Sequence, residues 1–137
     1  MKKLLFLALL GLFATPSFAA QTLYDDMGGK AGMDRIVDVS VDNYLADPRI
    51  KGIFSESNID RIRMELKDQF CQIADGPCVY KGHDMVATHK GLHLTNANFN
   101  ALVEDLQDAM NKCDIPFALQ NRFLARLAPY QHQVVTR

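Results

Sequence analysis

The chain has 137 residues, 48% of them hydrophobic and 23% charged, with 15 basic against 16 acidic side chains. That is material for one domain with a modest core and not for two. The near-balanced charge and the lack of any basic run argue against nucleic acid or anionic lipid as partners.

In chain order, Lys2 and Lys3 come first, followed by the apolar run Leu4 to Phe13 and the small residues up to Ala20. This is the three-part layout of a secretory signal peptide, with cleavage after Ala19. The apolar run falls short of the ~20 residues that span a bilayer. Residues 1–19 are therefore read as a leader and 20–137 as a single domain, periplasmic or secreted and with no membrane anchor after cleavage. The 118 residues that remain carry 13 basic and 16 acidic side chains, a formal charge of −3 that suits a small neutral ligand.

A short segment, Leu23 to Met27, precedes the break Gly28-Gly29. From Met33 the apolar residues Ile36, Val37, Val41, Tyr44 and Leu45 share one helical face, and the helix is expected to end near Asp47-Pro48. A turn region runs to Phe54. Ser57 or Asn58 caps a second helix with Ile59, Ile62, Leu66, Phe70 and Ile73 on one stripe, which stops at Gly76-Pro77. The stretch from Val79 to Leu94 supports one short helix around Met85, Val86 and His89 at most. Thr95 caps the clearest helix of the chain, carrying Phe99, Leu102, Val103, Leu106, Ala109, Met110 and Cys113. After Asp114 and Pro116, a last helix marked by Phe117, Phe123, Leu124, Leu127 and Tyr130 is expected to fray into a polar tail. The domain is all-α with four substantial helices and an irregular middle.

Three cysteines in an exported chain raise the question of which two pair. Cys71 and Cys78, seven residues apart, would lie about 10 Å apart on one helix, too far for a bridge. Gly76-Pro77 ends the helix between them, so the expected disulfide is Cys71–Cys78, against the alternative of three free thiols. Cys113 reads as a small core residue.

No Ser-His-Asp order, phosphate-binding glycine loop or His-Glu-x-x-His zinc motif is present. Four histidines remain: His83, His89, His93 and His132. His89 and His93, four apart, raise a zinc or copper pair, but Gly91 interrupts any helix there and no carboxylate completes the shell. Taken alone, His89 sits on a short amphipathic segment before a strongly apolar helix, where its ring can face Phe99, Leu102 and Val103.

Leu23-Tyr24-Asp25 with Gly28-Gly29, Leu45-Ala46-Asp47-Pro48 leading to Ile53-Phe54, Gly76-Pro77 with Tyr80 and Gly82, Met85 through His89, Thr95 and Phe99, Ile115-Pro116 and Leu127-Ala128-Pro129 recur in one order. On these elements the chain resembles the group I truncated globins, across essentially all of residues 20–137. The resemblance implies a two-over-two helical sandwich around haem b (iron protoporphyrin IX), with the iron held by a proximal histidine at His89. It implies further that Phe54 packs on the haem and that Met85, Val86, Leu94, Phe99 and Leu102 are proximal and floor contacts. Tyr80, Ser57 and Arg61 are then within reach of the propionates. A single neutral imidazole between apolar helices agrees with iron ligation.

The chain departs from the family on the distal side, where a tyrosine with a polar partner is usual. Val41, Ile62 and Leu66 occupy those positions and make the expected distal pocket apolar. Tyr44, one turn from Val41, substitutes only if the helix sits differently, and the spacing from Gly29 to Phe54 opposes that. A second departure is Asp75-Gly76 where two glycines are common. The leading expectation is a monomer that reversibly binds dioxygen, nitric oxide or carbon monoxide. The alternatives are a nitric oxide dioxygenase or peroxidase-like enzyme with an unidentified reductase, an electron-transfer haem closed by His83, His93 or His132, and a haem-free helical module that binds a partner in the same groove.

Overall fold

The computed structural model describes residues 20–136, so the leader expected at 1–19 lies outside the described residues. Among the described residues there is no strand, and no helix is long and apolar enough to cross a membrane. The helices in order are α1 (Leu23–Asp26), α2 (Gly29–Ala46), α3 (Ile59–Ile73), α4 (Met85–His89), α5 (Asn96–Lys112), α6 (Phe117–Leu127) and α7 (Gln131–Val134). One 3-10 turn, Lys51–Phe54, links α2 to α3, and another, Ala128–Tyr130, links α6 to α7.

The starts of these helices follow from their caps. The Asn58 side chain accepts from Arg61 N at the head of α3, and Thr95 with Asn98 forms a reciprocal capping box on α5. The largest departure from expectation is at α2, which begins at Gly29 and not near Met33. Gly28, with φ at 95°, turns the chain out of α1, and Gly32 sits where a Cβ would stand 2.1 Å from the Met27 carbonyl oxygen. The glycines act here as a close-approach corner and not as a break.

The two pairs of long helices form the two-over-two sandwich. α2 packs on α3 and α5, α6 packs on both α3 and α5, and α1 closes α2 against α6. Their meeting surfaces bury Leu23, Met27, Met33, Ile36, Val37, Val41, Leu106, Met110 and Phe123 almost completely. Each such side chain stabilises by about 1.5–3 kcal/mol on burial. Phe70 of α3 meets Phe123 of α6 edge-on, ring centres 5.1 Å apart, which ties the second layer to the first. Phe117, expected to mark the apolar face of α6, is 68% exposed at its first turn.

The C-terminal segment does not fray. α7 packs on α4, and Thr136 N–H donates to Leu94 O at 2.9 Å, so the tail closes over the irregular middle of the chain.

Candidate functional site

α4 is only five residues long and depends on its surroundings. Asp84 caps it by accepting from Ala87 N at 2.8 Å, and the Thr88 hydroxyl donates to Asp84 O. Beyond its end, Gly91 (φ 82°) and His93 (φ 53°) take left-handed conformations that turn the chain away. His93 is exposed and has left the face that carries His89. No group of three or more His, Cys, Asp or Glu side chains among the described residues is placed to hold a metal ion. His83 and His132 are likewise exposed.

His89, the last residue of α4, is half-buried, with Nδ1 2.7 Å from the Met85 carbonyl oxygen. A carbonyl only accepts, so Nδ1 carries a proton, which in the neutral imidazole leaves the lone pair on Nε2. The ring is thereby oriented by its own helix, one turn back.

The apolar side chains expected at the site are covered unevenly. Phe54, Ile62, Leu66, Met85, Phe99 and Leu102 are half-buried, and Phe54, Ile62, Leu66 and Leu102 pack against the buried core. Leu94 is buried, whereas Val86 is 58% exposed. Val41, expected beside Ile62 and Leu66, lies deep between α2 and its neighbours with 2% exposure. Tyr80 donates its hydroxyl to His83 O at 2.8 Å, and Arg61 pairs with Glu65 at 2.7 Å, so both polar groups have protein partners; Ser57 is exposed.

Tyr44 is buried and its ring stacks on Phe54, centres 6.0 Å apart and planes within 8°. Its hydroxyl is buried without a hydrogen-bond partner, and the Ser40 hydroxyl, one turn back, donates to Ile36 O at 2.7 Å. Burial pushes the phenol far above its ordinary pKa; Ser40 pulls the other way and Asp105 adds to the rise. The phenol is thus buried near Ser40 and Asp105, with its ring against Phe54.

Sequence reasoning passed over several residues that support α4. Gln69 donates its amide to Met85 Sδ at 3.2 Å, and Gln72 accepts from Tyr80 N at 2.7 Å. The signal for Gln69 was present: it is a polar residue three beyond Leu66 on an otherwise apolar stripe. The expected bridge is formed, Cys71 to Cys78 with Cα atoms 5.7 Å apart, and it joins the last turn of α3 to the strap that leads into α4. Cys113 is free and half-buried, and burial pushes its thiol pKa up.

Comparison with known proteins gives one consistent answer. Residues 22–136 match the model of the bacterial-like globin family. A group 1 truncated haemoglobin of Tetrahymena pyriformis is 32% identical over 101 residues, covering 74% of this chain and 84% of that protein. A group 1 truncated haemoglobin of Mycolicibacterium paratuberculosis is 26% identical over 115 residues, covering 84% and 85%. The crystal structure of the T. pyriformis truncated haemoglobin in its Fe(III) form superposes with a TM-score of 0.83 at 27% identity, covering 85% of this chain and 100% of that one.

Proposed function

Because the chain belongs to the group 1 truncated haemoglobins, whose fold and haem-based gas binding it shares, we propose that it is an exported member that holds the iron through His89 and binds its gas in an apolar distal pocket. The observation that carries the ligand assignment is the 2.7 Å contact between His89 Nδ1 and Met85 O. It fixes the tautomer that leaves Nε2 as an unprotonated donor, and it orients the ring from behind, as partners of metal-bound imidazoles commonly do.

The residues present fit a flat apolar group with one axial imidazole. Phe54, Ile62, Leu66, Met85, Phe99 and Leu102 are half-buried apolar side chains, in this reading the two walls of the haem site, and His83, His93 and His132 are exposed. Haem b, when bound, supplies an iron with one coordination position for the protein and one for a diatomic gas. Val86, on the outer side of α4, and Leu94, beneath it, complete the proximal contacts in this reading. Tyr80 reaches a propionate only by giving up His83 O, whereas Arg61 uses only Nε on Glu65 and keeps its other guanidinium N–H groups available, and the exposed Ser57 has no such partner.

Val41, Ile62 and Leu66 offer a ligand no hydrogen-bond donor. A hydrogen bond to a ligand with anionic character is worth about 1.5–3 kcal/mol, a ten- to hundredfold factor that dioxygen forgoes here and carbon monoxide hardly misses. The pocket therefore favours the less polar diatomics. In this reading Tyr44, whose buried ring stacks on Phe54, does not restore the donor. Export through residues 1–19 to the periplasm or beyond accords with the Cys71–Cys78 bridge, which persists in an oxidising compartment.

The visible spectrum of the exported protein, ferric and ferrous, compared with that of His89→Ala, tests the assignment. A Soret band lost or strongly shifted by the substitution is expected. An identical spectrum in both proteins removes His89 as the ligand, and a folded, colourless native protein removes the haem. Mass spectrometry of the exported chain checks the leader, with Ala20 expected as its first residue.

A further inference from the structure

We propose that the Cys71–Cys78 disulfide is a thiol–disulfide exchange site whose reduction loosens α4 and with it the grip on haem; this rests on the His89 reading above. Three observations lead to it.

The first is access. Cys71 is 2% exposed but Cys78 is half-buried, and both line a groove between α2, α3 and the strap at 77–78. Lys30, Met64, Lys67 and Pro77 form its walls, with Met64 61% exposed. Met64 and Pro77 give the groove an apolar lip that suits a thiol-bearing partner, while Lys30 and Lys67 are paired with Asp34 and Asp38, and Asp34 and Asp68 share the lining, so the approach is close to neutral.

The second is mechanical. Among the described residues no backbone–backbone hydrogen bond involves residues 77–83. The strap is tied to α3 by the disulfide and by the Gln72 side chain on Tyr80 N, and α4 itself by the weak Gln69–Met85 contact. Removing the covalent tie leaves two side-chain hydrogen bonds between α3 and the segment that carries His89.

The third is Gly76. A Cβ there would stand 2.6 Å from Cys71 Sγ and 2.8 Å from both the Cys71 carbonyl oxygen and a Tyr24 ring carbon. The turn is built tightly around the bridge, so the reduced chain has no comparable contact to fall back on.

The chemistry balances with a dithiol as reductant. One thiolate attacks Cys78 Sγ, the Cys71–Cys78 bond breaks, and Cys71 leaves as a thiolate that takes up a proton. The second thiol of the reductant then displaces Cys78 and departs within its own disulfide. Two electrons and two protons end on the two cysteines.

The test uses the haem-loaded exported protein and its haem-free form, each with and without dithiothreitol, together with the Cys71→Ser/Cys78→Ser double variant. Three readouts are followed: alkylatable thiols, the rate of haem transfer to an excess acceptor globin, and amide hydrogen exchange over residues 79–90. Without denaturant, thiols are expected to rise from the single Cys113 to three. Haem loss is expected to accelerate about five- to fiftyfold, inside the roughly hundredfold that the chain entropy of so short a loop allows. Exchange across α4 should accelerate in both forms, and the double variant should copy the reduced protein and ignore the reductant. Thiols that appear only on unfolding overturn the proposal, as do three thiols with α4 exchange unchanged. A chain that takes no haem yet loosens at α4 on reduction keeps the clasp and refutes the haem reading; if the double variant does not fold, the native arms still decide.

Discussion

Where α2 meets α5, and α6 meets α3 and α5, apolar side chains close on one another: Met33, Ile36, Leu106, Met110 and Phe123 are each within 1% of full burial. Where α3 begins and α4 hangs, side chains of the same kind, Ile62, Leu66, Met85 and Phe99, remain half-exposed. The first half is held by its own burial. The second is held by ties: a disulfide, two glutamine amides, and α7 with Thr136 folded over α4. The difference teaches how a small helical domain keeps a face for a flat apolar ligand without collapsing: one half supplies the stability, and the other is strapped to it, not packed shut.

The sharpest way to break this comparison is to make one cavity in each half of the haem-free chain. Phe123→Ala removes a ring packed against Phe70 with no exposure and should cost about 3–5 kcal/mol in urea unfolding. Ile62→Ala, on the half-exposed face, should cost under about 1 kcal/mol in the same assay, while speeding haem loss from the loaded protein. Similar costs for the two would mean that the second half is packed after all.

Most of the scaffold was legible because its helices obey the 3.6 repeat and carry side-chain caps at Asn58 and Thr95. The sequence places the start of α2 too late because Gly28-Gly29 looks like a breaker. Their role with Gly32 is a close approach between α1 and α2, and only the fold reveals it. α7 was missed for the opposite reason: residues 131–136 show no apolar period, and their order comes from packing on α4. At the site, the bridge could be read from Gly76-Pro77 between two cysteines. His89 could not be told from its neighbours by pattern, since a helix of five residues has too few positions to show a face, and the family resemblance singled it out. The placement of the Tyr44 phenol was open until the structure set it beside Ser40 and Asp105.

Two intermediate predictions sharpen the account of the strapped half. Leu66→Gln puts an amide donor on the half-exposed stripe of α3 and should raise dioxygen affinity about ten- to hundredfold relative to carbon monoxide, read by flash photolysis. An unchanged ratio would mean that position 66 does not face the ligand. Thr95→Ala deletes the cap of α5 and should cost about 1 kcal/mol in urea unfolding. Amide exchange should rise mainly at the Asn96–Phe99 end beside α4; a uniform rise along α5 would show that the two halves unfold as one.

The smallest expected effect lies at the far end of the packed half, where two neighbouring carboxylates are held in opposite senses. Burial, followed by the charge of Asp47, holds the Asp105 carboxyl above its ordinary value, while hydrogen bonds from Arg49 hold Asp47 below its own. Asp105 Oδ2 is also buried without a partner. A group whose folded pKa is raised favours the fold below its unfolded pKa, and that contribution is lost as pH rises through the folded value. A lowered one favours the fold above its unfolded pKa and loses that contribution as pH falls through the folded value. Asp105→Asn should therefore raise the melting temperature at pH 7 by about 2 °C, a gain that shrinks as pH falls through the raised Asp105 titration. Asp47→Asn should lower the melting temperature at pH 7, and that loss should fade below the usual carboxylate range, where wild-type Asp47 also loses its charge. Opposite signs from adjacent carboxylates separate a local desolvation cost from a general charge effect; equal signs would show that the net charge of the chain, and not the α2–α5 contact, governs both.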